Sequence, residues 1–269
     1  MLNDAMFKSI IRSKEARPVV NTFLHFLTHI EMDKLETAIY MGGEIPKSHI
    51  NEKGKISDVI IKIENCKIIL EMNQTDTKDI FDKNVSYTFA LANTSTHINK
   101  PRKKVILINF DAFNRFKTKK PVLVFKIQDE DGHIESELYL SFHLILENAK
   151  EKNYNIAKEV QEFMDFFKKY NSIEELKKEY LGKENFKDMV KKVEELTQDE
   201  DFLMYYDLEE KHKHEKESSY ELGVERGIKQ GIKQGIKQKE IEFAKKMLKE
   251  NEQIEKIMNY TGLTKKEIE

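Results

Sequence analysis

The chain has 269 residues, 39% hydrophobic and 35% charged, and a formal net charge of −2. That length suits one core domain with appendages or two small domains, and the near-neutral balance argues neither for nor against nucleic acid. The single cysteine, Cys66, excludes an internal disulfide framework and a cysteine-based zinc site. With no signal-type run and no 18-residue apolar run, the expectation is a cytoplasmic protein with no membrane partner.

Residues 4–30 carry Phe7, Ile10, Val20, Phe23, Leu24 and Leu27 at helical spacing. Pro18 divides the stretch into two predicted helices, with Asn3 or Asp4 as N-cap. A short strand is expected over 36–41, then strands over 56–64 and 67–73 and a helix over 77–92. A basic loop, NKPRKK, leads to strands over 104–110, 121–127 and 137–146, the last preceded by an Asp131-Gly132 turn. After residue 150 the pattern is helical only, with Ile156, Val160, Phe163, Phe166 and Phe167 as an apolar stripe.

Residues 223–238 read GVERGIKQGIKQGIKQ, with glycines at 223, 227, 231 and 235 and Val224, Ile228, Ile232 and Ile236 beside them. On a helix both columns form drifting stripes. Each glycine costs about 1 kcal/mol relative to alanine, so the segment either packs closely on a partner helix or is a poorly ordered linker. The first reading makes the chain a homodimer through its C-terminal repeat. The tail reads as a helix, a Thr261-Gly262 turn and a short helix capped by Thr264. The expected division is therefore a core over 1–150, a helical extension over 151–217 and a self-association segment over 218–269.

The stretch KISDVIIKIENCKIILEMNQ, from Lys55 to Gln74, places Asp58, Glu71 and Asn73 among isoleucines and valines. Burying an unpaired carboxylate costs several kcal/mol, so these residues need a reason. If Asn65-Cys66 is a two-residue turn, Asp58 faces Asn73 and Ile60 faces Glu71. Parity then puts Asp58, Ile60, Lys62, Ile69, Glu71 and Asn73 on one face and Val59, Ile61, Ile63, Ile68, Leu70 and Met72 on a core face. Asp58 and Glu71 become diagonal neighbours, with Cβ atoms about 7–8 Å apart. Two carboxylates at that range can share a cation, and all-oxygen ligation favours Mg²⁺ or Mn²⁺ over zinc.

This layout resembles the PD-(D/E)XK nuclease superfamily, and within it the Rpn family of recombination-promoting nucleases and transposase-like proteins. The resemblance rests on Asp4-Ala5-Met6-Phe7-Lys8, on Asp58 before an apolar strand, and on Glu71-Met72-Asn73. It continues through Lys83 and Tyr87 on the next helix, the strand KVILINF, and the tail with its GIKQ repeats. It implies an α/β, restriction-endonuclease-like mixed sheet flanked by helices, and metal-dependent cleavage of DNA with a role in recombination or rearrangement.

Asp58, Glu71 and the Met72 carbonyl become the implied metal ligands. Lys83 would reach the scissile phosphate, and Tyr87 would share its helix face or fill the core. Asp4 would be a third carboxylate or a helix cap. Where the superfamily usually has lysine and this family commonly glutamine, the chain has Asn73. An amide can orient the attacking water but cannot lower its pKa, so cleavage is expected to be slow. The alternative is a catalytically weak or inactive DNA-binding or oligomerisation protein with a decayed nuclease fold. Lys100, Arg102, Lys103, Lys104, Lys117 and Lys119, in the most basic stretch, are the candidates for phosphate contacts.

Overall fold

The computed structural model describes residues 4–42, 44–45, 55–64, 66–93, 102–168, 170 and 172–268, and of 44–45, 55–56, 93 and 205–219 the backbone alone. Pro18 separates α1 (Asp4–Arg12) from α2 (Arg17–Thr28) by sitting in the first turn of α2. There its missing N–H is harmless, because first-turn donors have no intrahelical acceptor. The short α3 (Met32–Glu36) and β1 (Ile39–Met41) follow, then a two-stranded ribbon of β2 (Glu44–Ile45) and β3 (Lys55–Ile56).

The main sheet adds β4 (Val59–Lys62), β5 (Cys66–Asn73), β6 (Lys104–Asp111), β7 (Val122–Gln128) and β8 (Ile134–Ile145), in the order β1-β4-β5-β6-β8-β7. β5, β6 and β8 are mutually parallel and the outer pairings antiparallel. The parallel step from β5 to β6 runs through α4 (Ile80–Asn93), which lies over the sheet. All eight residues of β5 are buried, as expected of a parallel strand covered on both faces.

One face of the sheet carries the main core. Val59, Ile61, Ile68, Leu70, Met72, Ile108 and Phe110 pack there against helices on either side of it in sequence. Phe23 stacks on Phe163 at 4.1 Å, and Phe7 meets Phe110 and Phe167 at 5.2 and 5.0 Å. Through α5 (Lys158–Phe166), α6 (Ile173–Tyr180) and α7 (Lys187–Gln198), the chain beyond residue 150 shares this core. On the other face Ile60, Ile69, Val105 and Leu107 meet Leu91, Val85 and Tyr87 of α4.

The face assignment of the β4–β5 hairpin holds, but its register differs from the two-residue-turn expectation. Ile60 pairs with Ile69, and Lys62 with Lys67. The ladder continues beyond Lys62 and Lys67 to the next pair, where the Ile63 N–H donates to the Cys66 carbonyl at 2.9 Å. Ile63 and Cys66 both bury their side chains in the main core, which holds this register. Closing the hairpin one residue earlier in the chain lowers the sum of paired residue numbers from 131 to 129, a slide of two that keeps the parity.

The chain divides into two compact units, Met1–Tyr206 and Asp207–Glu269. The second holds most of α8 (Glu200–Lys249), with α9 (Ile254–Thr261) and α10 (Lys265–Ile268). Ala244, Met247, Ile257, Leu263 and Ile268 form its small core. Gly262 takes φ 70, the left-handed conformation that ends α9. Glu267 closes the start of α10, its carboxylate accepting from the Thr264 N–H and hydroxyl at 3.0 and 2.8 Å while its own N–H donates to the Thr264 carbonyl at 2.9 Å. α8 is helical throughout the repeat. Among the described residues no helix is long and apolar enough to cross a membrane.

Candidate functional site

The hairpin register brings the two carboxylates closer than a diagonal pair. Asp58 lies in the bend just before β4, and extending the pairing of Val59 with Leu70 sets it opposite Glu71. The Met72 N–H donates to Asp58 Oδ2 at 2.7 Å, while an Asp58 backbone hydrogen bond reaches the Glu71 carboxylate. The N–H and C=O of one strand residue project to the same side, so the Met72 carbonyl is directed towards Asp58. α1 closes the site from outside. Lys8 Nζ lies 3.2 Å from Asp58 Oδ1, and Arg12 donates to the Asp58 carbonyl at 2.5 Å.

Glu71 is 4% exposed, and its Oε1 has no hydrogen-bond partner. Burial, and next the neighbouring Asp58 charge, push its pKa well above the usual carboxylate range, while Lys83 and Lys8 partly offset the rise. The metal-free pair is therefore a strained arrangement that a proton or a cation relieves.

Asn73 is on the same face but does not point free into the site. Its Nδ2 donates to Asp111 Oδ1 at 2.7 Å and to Asn109 Oδ1 at 3.3 Å, and its Oδ1 accepts from Asn84 at 3.0 Å. Asn84 also donates to Asn109 at 2.9 Å, and Asp111 Oδ2 pairs with His143 Nδ1 at 2.8 Å. A buried polar chain thus crosses β5, β6 and β8 under α4. The expected water-orienting amide is engaged inside the protein, with Asp111 as its register partner on β6.

The other sequence candidates separate. Lys83 is exposed on α4, 5.4 Å from the Tyr87 ring, and close enough to act on Glu71. Tyr87 is half-buried against the smaller core. Asp4 opens α1, one turn before Lys8. Lys100 lies outside the described residues. Arg102 precedes β6, and Lys103 Nζ donates to the Glu64 carbonyl at 2.5 Å. Lys104 pairs with Cys66 while Asn109 pairs with Glu71, which sets Lys104 roughly 16 Å along the strand from the carboxylates. Lys117 and Lys119 instead follow the C-terminal end of β6, the end where Asn73 and Asp111 lie.

Lys8, Arg12, Asn84, Asp111 and His143 were not anticipated as part of this site. Lys8 and Arg12 stand one helical turn apart, a signal for a shared cationic edge. Nothing local in the sequence joins Asp111 to His143.

The donor set fits a hard divalent cation: two carboxylates and a directed carbonyl, with one carboxylate oxygen buried and unpartnered. Among the described residues, a second acidic group is Asp129, Asp131 and His133 on the exposed β7–β8 turn. There Asp129 already accepts from the N–H groups of Asp131 and His133, at 3.1 and 2.8 Å, as a turn-forming aspartate does. The 600 Å³ cavity between α2, β7, β8 and the start of α5 lies on the opposite face of the sheet and is lined by no carboxylate.

No curated protein and no solved structure matches the chain at a significant level. The model of one family, the PD-(D/E)XK nuclease family transposases, matches residues 1–223. Superfamily members are nuclease hydrolases that typically use divalent metals, and the six-stranded mixed sheet flanked by helices agrees with their fold. With a mixed sheet, an acidic pair at its centre and most of its length matched, the chain belongs to the PD-(D/E)XK nuclease family transposases.

Proposed function

We propose that the protein is a metal-dependent DNA endonuclease that hydrolyses phosphodiester bonds at the Asp58/Glu71 site and acts in recombination or DNA rearrangement. The observation that carries this reading is the unpartnered oxygen of Glu71, buried beside a second carboxylate. Asp58, Glu71 and the Met72 carbonyl would hold Mg²⁺ or Mn²⁺. Such an ion supplies Lewis acidity at a phosphate oxygen and a water of lowered pKa. Lys83 projects from α4 towards the phosphate, and Lys117 and Lys119 hold the flanking backbone. Lys8 balances the Asp58 charge from α1. Asp4 opens α1 as a residue of its first turn.

The test is plasmid nicking with Mg²⁺ or Mn²⁺, against a chelator control. Asp58→Ala and Glu71→Ala should each abolish cleavage while the protein stays folded by circular dichroism. Wild-type cleavage rates in either variant overturn the assignment. The engaged Asn73 amide favours a second reading, a DNA-binding protein whose nuclease centre has lost its water-orienting group. Metal binding by calorimetry with no nicking by the wild type selects that reading.

The repeat supports a homodimer. Val224, Ile228, Ile232 and Ile236 are 42–59% exposed on α8, and the lysine column lies about 200° from the glycines, away from a contact along the glycine stripe.

A further inference from the structure

The face of the sheet that carries Glu71 continues over β8 and β7 as a row of aromatic rings. Phe81, Val85 and Phe89 recur every four residues on the side of α4 that leans over β8. Phe81 meets His143 edge-on at 4.4 Å, and Phe89 stacks on Tyr139 at 5.7 Å and 18°. Phe125 of β7 pairs with Ser141 and lies 5.2 Å from the His143 ring. The loop after β6 adds Phe116, stacked on Phe81 at 5.4 Å and 9°.

These rings are not sealed by protein: Phe89 is 49% and Phe125 41% exposed, and Phe81, Phe116 and Tyr139 are half-buried. From Phe81 to Phe89 the helix rises about 12 Å, room for roughly three bases stacked at 3.4 Å.

The loop beside the rings is basic. Residues 112–120, AFNRFKTKK, hold four basic residues and no acidic one. The Arg115 guanidinium lies over Phe81 at 4.5 Å and is oriented there by Asp76. Lys117 and Lys119 are exposed beside it. Ring faces next to cations suit a polyanion that offers flat apolar faces of its own. A duplex does not, since each base is covered above and below and presents only its edges. Unpaired nucleotides do.

We propose that this aromatic row binds a single-stranded stretch of the DNA substrate, with bases stacked on Phe89, Tyr139 and Phe125 and phosphates on Arg115, Lys117 and Lys119. The inference rests on the nuclease reading for what happens to the strand at Glu71, and it makes the preferred substrate DNA with unpaired nucleotides. α4 links the two, because it carries Phe81 and Phe89 together with Lys83 and Asn84.

The test is binding of the full chain, in chelator, to a 2-aminopurine-labelled single strand and to the same sequence as a blunt duplex. The single strand should bind more tightly, with quenching of the 2-aminopurine as it stacks. Phe89→Leu and Phe125→Leu should each weaken single-strand binding about tenfold and leave duplex binding unchanged. Phe89→Tyr and Phe125→Tyr, which keep a ring face, should restore it. Unquenched 2-aminopurine, or leucine variants that bind the single strand like wild type, overturn the proposal. So does a change in sedimentation mass without a change in DNA binding, which makes the face a contact between copies. Because the assay contains no metal, its outcome is separable from cleavage. A chain that stacks single strands and cuts nothing loses the nuclease reading alone, and one that cuts duplex without stacking loses this one alone.

Discussion

Glu71 is the residue at which the fold pays most for a functional group. Its raised pKa means that the folded, metal-free protein keeps a proton that the unfolded chain has already released. Folded protein then binds more protons than unfolded, so this contribution to stability is full below the ordinary glutamate pKa and is lost as pH rises through the folded value. In chelator, wild-type stability should therefore fall relative to Glu71→Gln as pH rises above the ordinary glutamate pKa, by up to about 1.4 kcal/mol per pH unit. Urea midpoints measure it, and parallel pH profiles would show that Glu71 titrates normally. Saturating Mg²⁺ should flatten the wild-type slope, since a cation favours both ionised carboxylates. Asn73 has a different expected signature. Asn73→Ala leaves Asp111 and Asn84 short of buried partners and should cost about 1–3 kcal/mol in urea unfolding. A loss of cleavage with no loss of stability would return Asn73 to the water-orienting role.

Among the elements, α8 sets helix propensity against association. A Cβ added at Gly223, Gly227, Gly231 or Gly235 would meet nothing within 4 Å. Replacing all four by alanine should therefore strengthen the helix, by about 1 kcal/mol per position. If the glycine stripe is where a second copy approaches, the same change should lower the solution mass while raising helicity. A rise in helicity with no change in sedimentation would make the glycines incidental to association. The β4–β5 hairpin shows the converse balance. Its local pattern suits either turn position, and the burial of Ile63 and Cys66 selects the earlier one, which sets Asp58 across from Glu71.

For the molecule as a whole, the family match ends at residue 223, just where the repeat begins. The first compact unit ends earlier, at Tyr206. Each side chain named for cleavage lies in that first unit, so truncation after Glu217 should leave metal binding intact. It should also lower the sedimentation mass towards a monomer and shift plasmid products from double-strand cuts to nicks, because two cuts in one event need two centres. An unchanged mass without the tail would detach association from the repeat.

The strands of the hairpin, the helix break at Pro18, the α4 helix and the Thr264 cap could all be read from periodicity and capping residues, because those signals are local. So could the face shared by Asp58, Glu71 and Asn73, since strand parity survives any even change in turn length. Tertiary structure decided the rest. The directly opposed carboxylates depend on a turn held by the core, and Lys8 reaches Asp58 from a helix 50 residues away in sequence. The engagement of Asn73 depends on β6 and β8 being laid beside β5, which brings Asp111 and His143 under α4. A two-residue period tells which side of a strand a side chain takes. Which strand lies next to it is settled only when the whole sheet buries both of its faces.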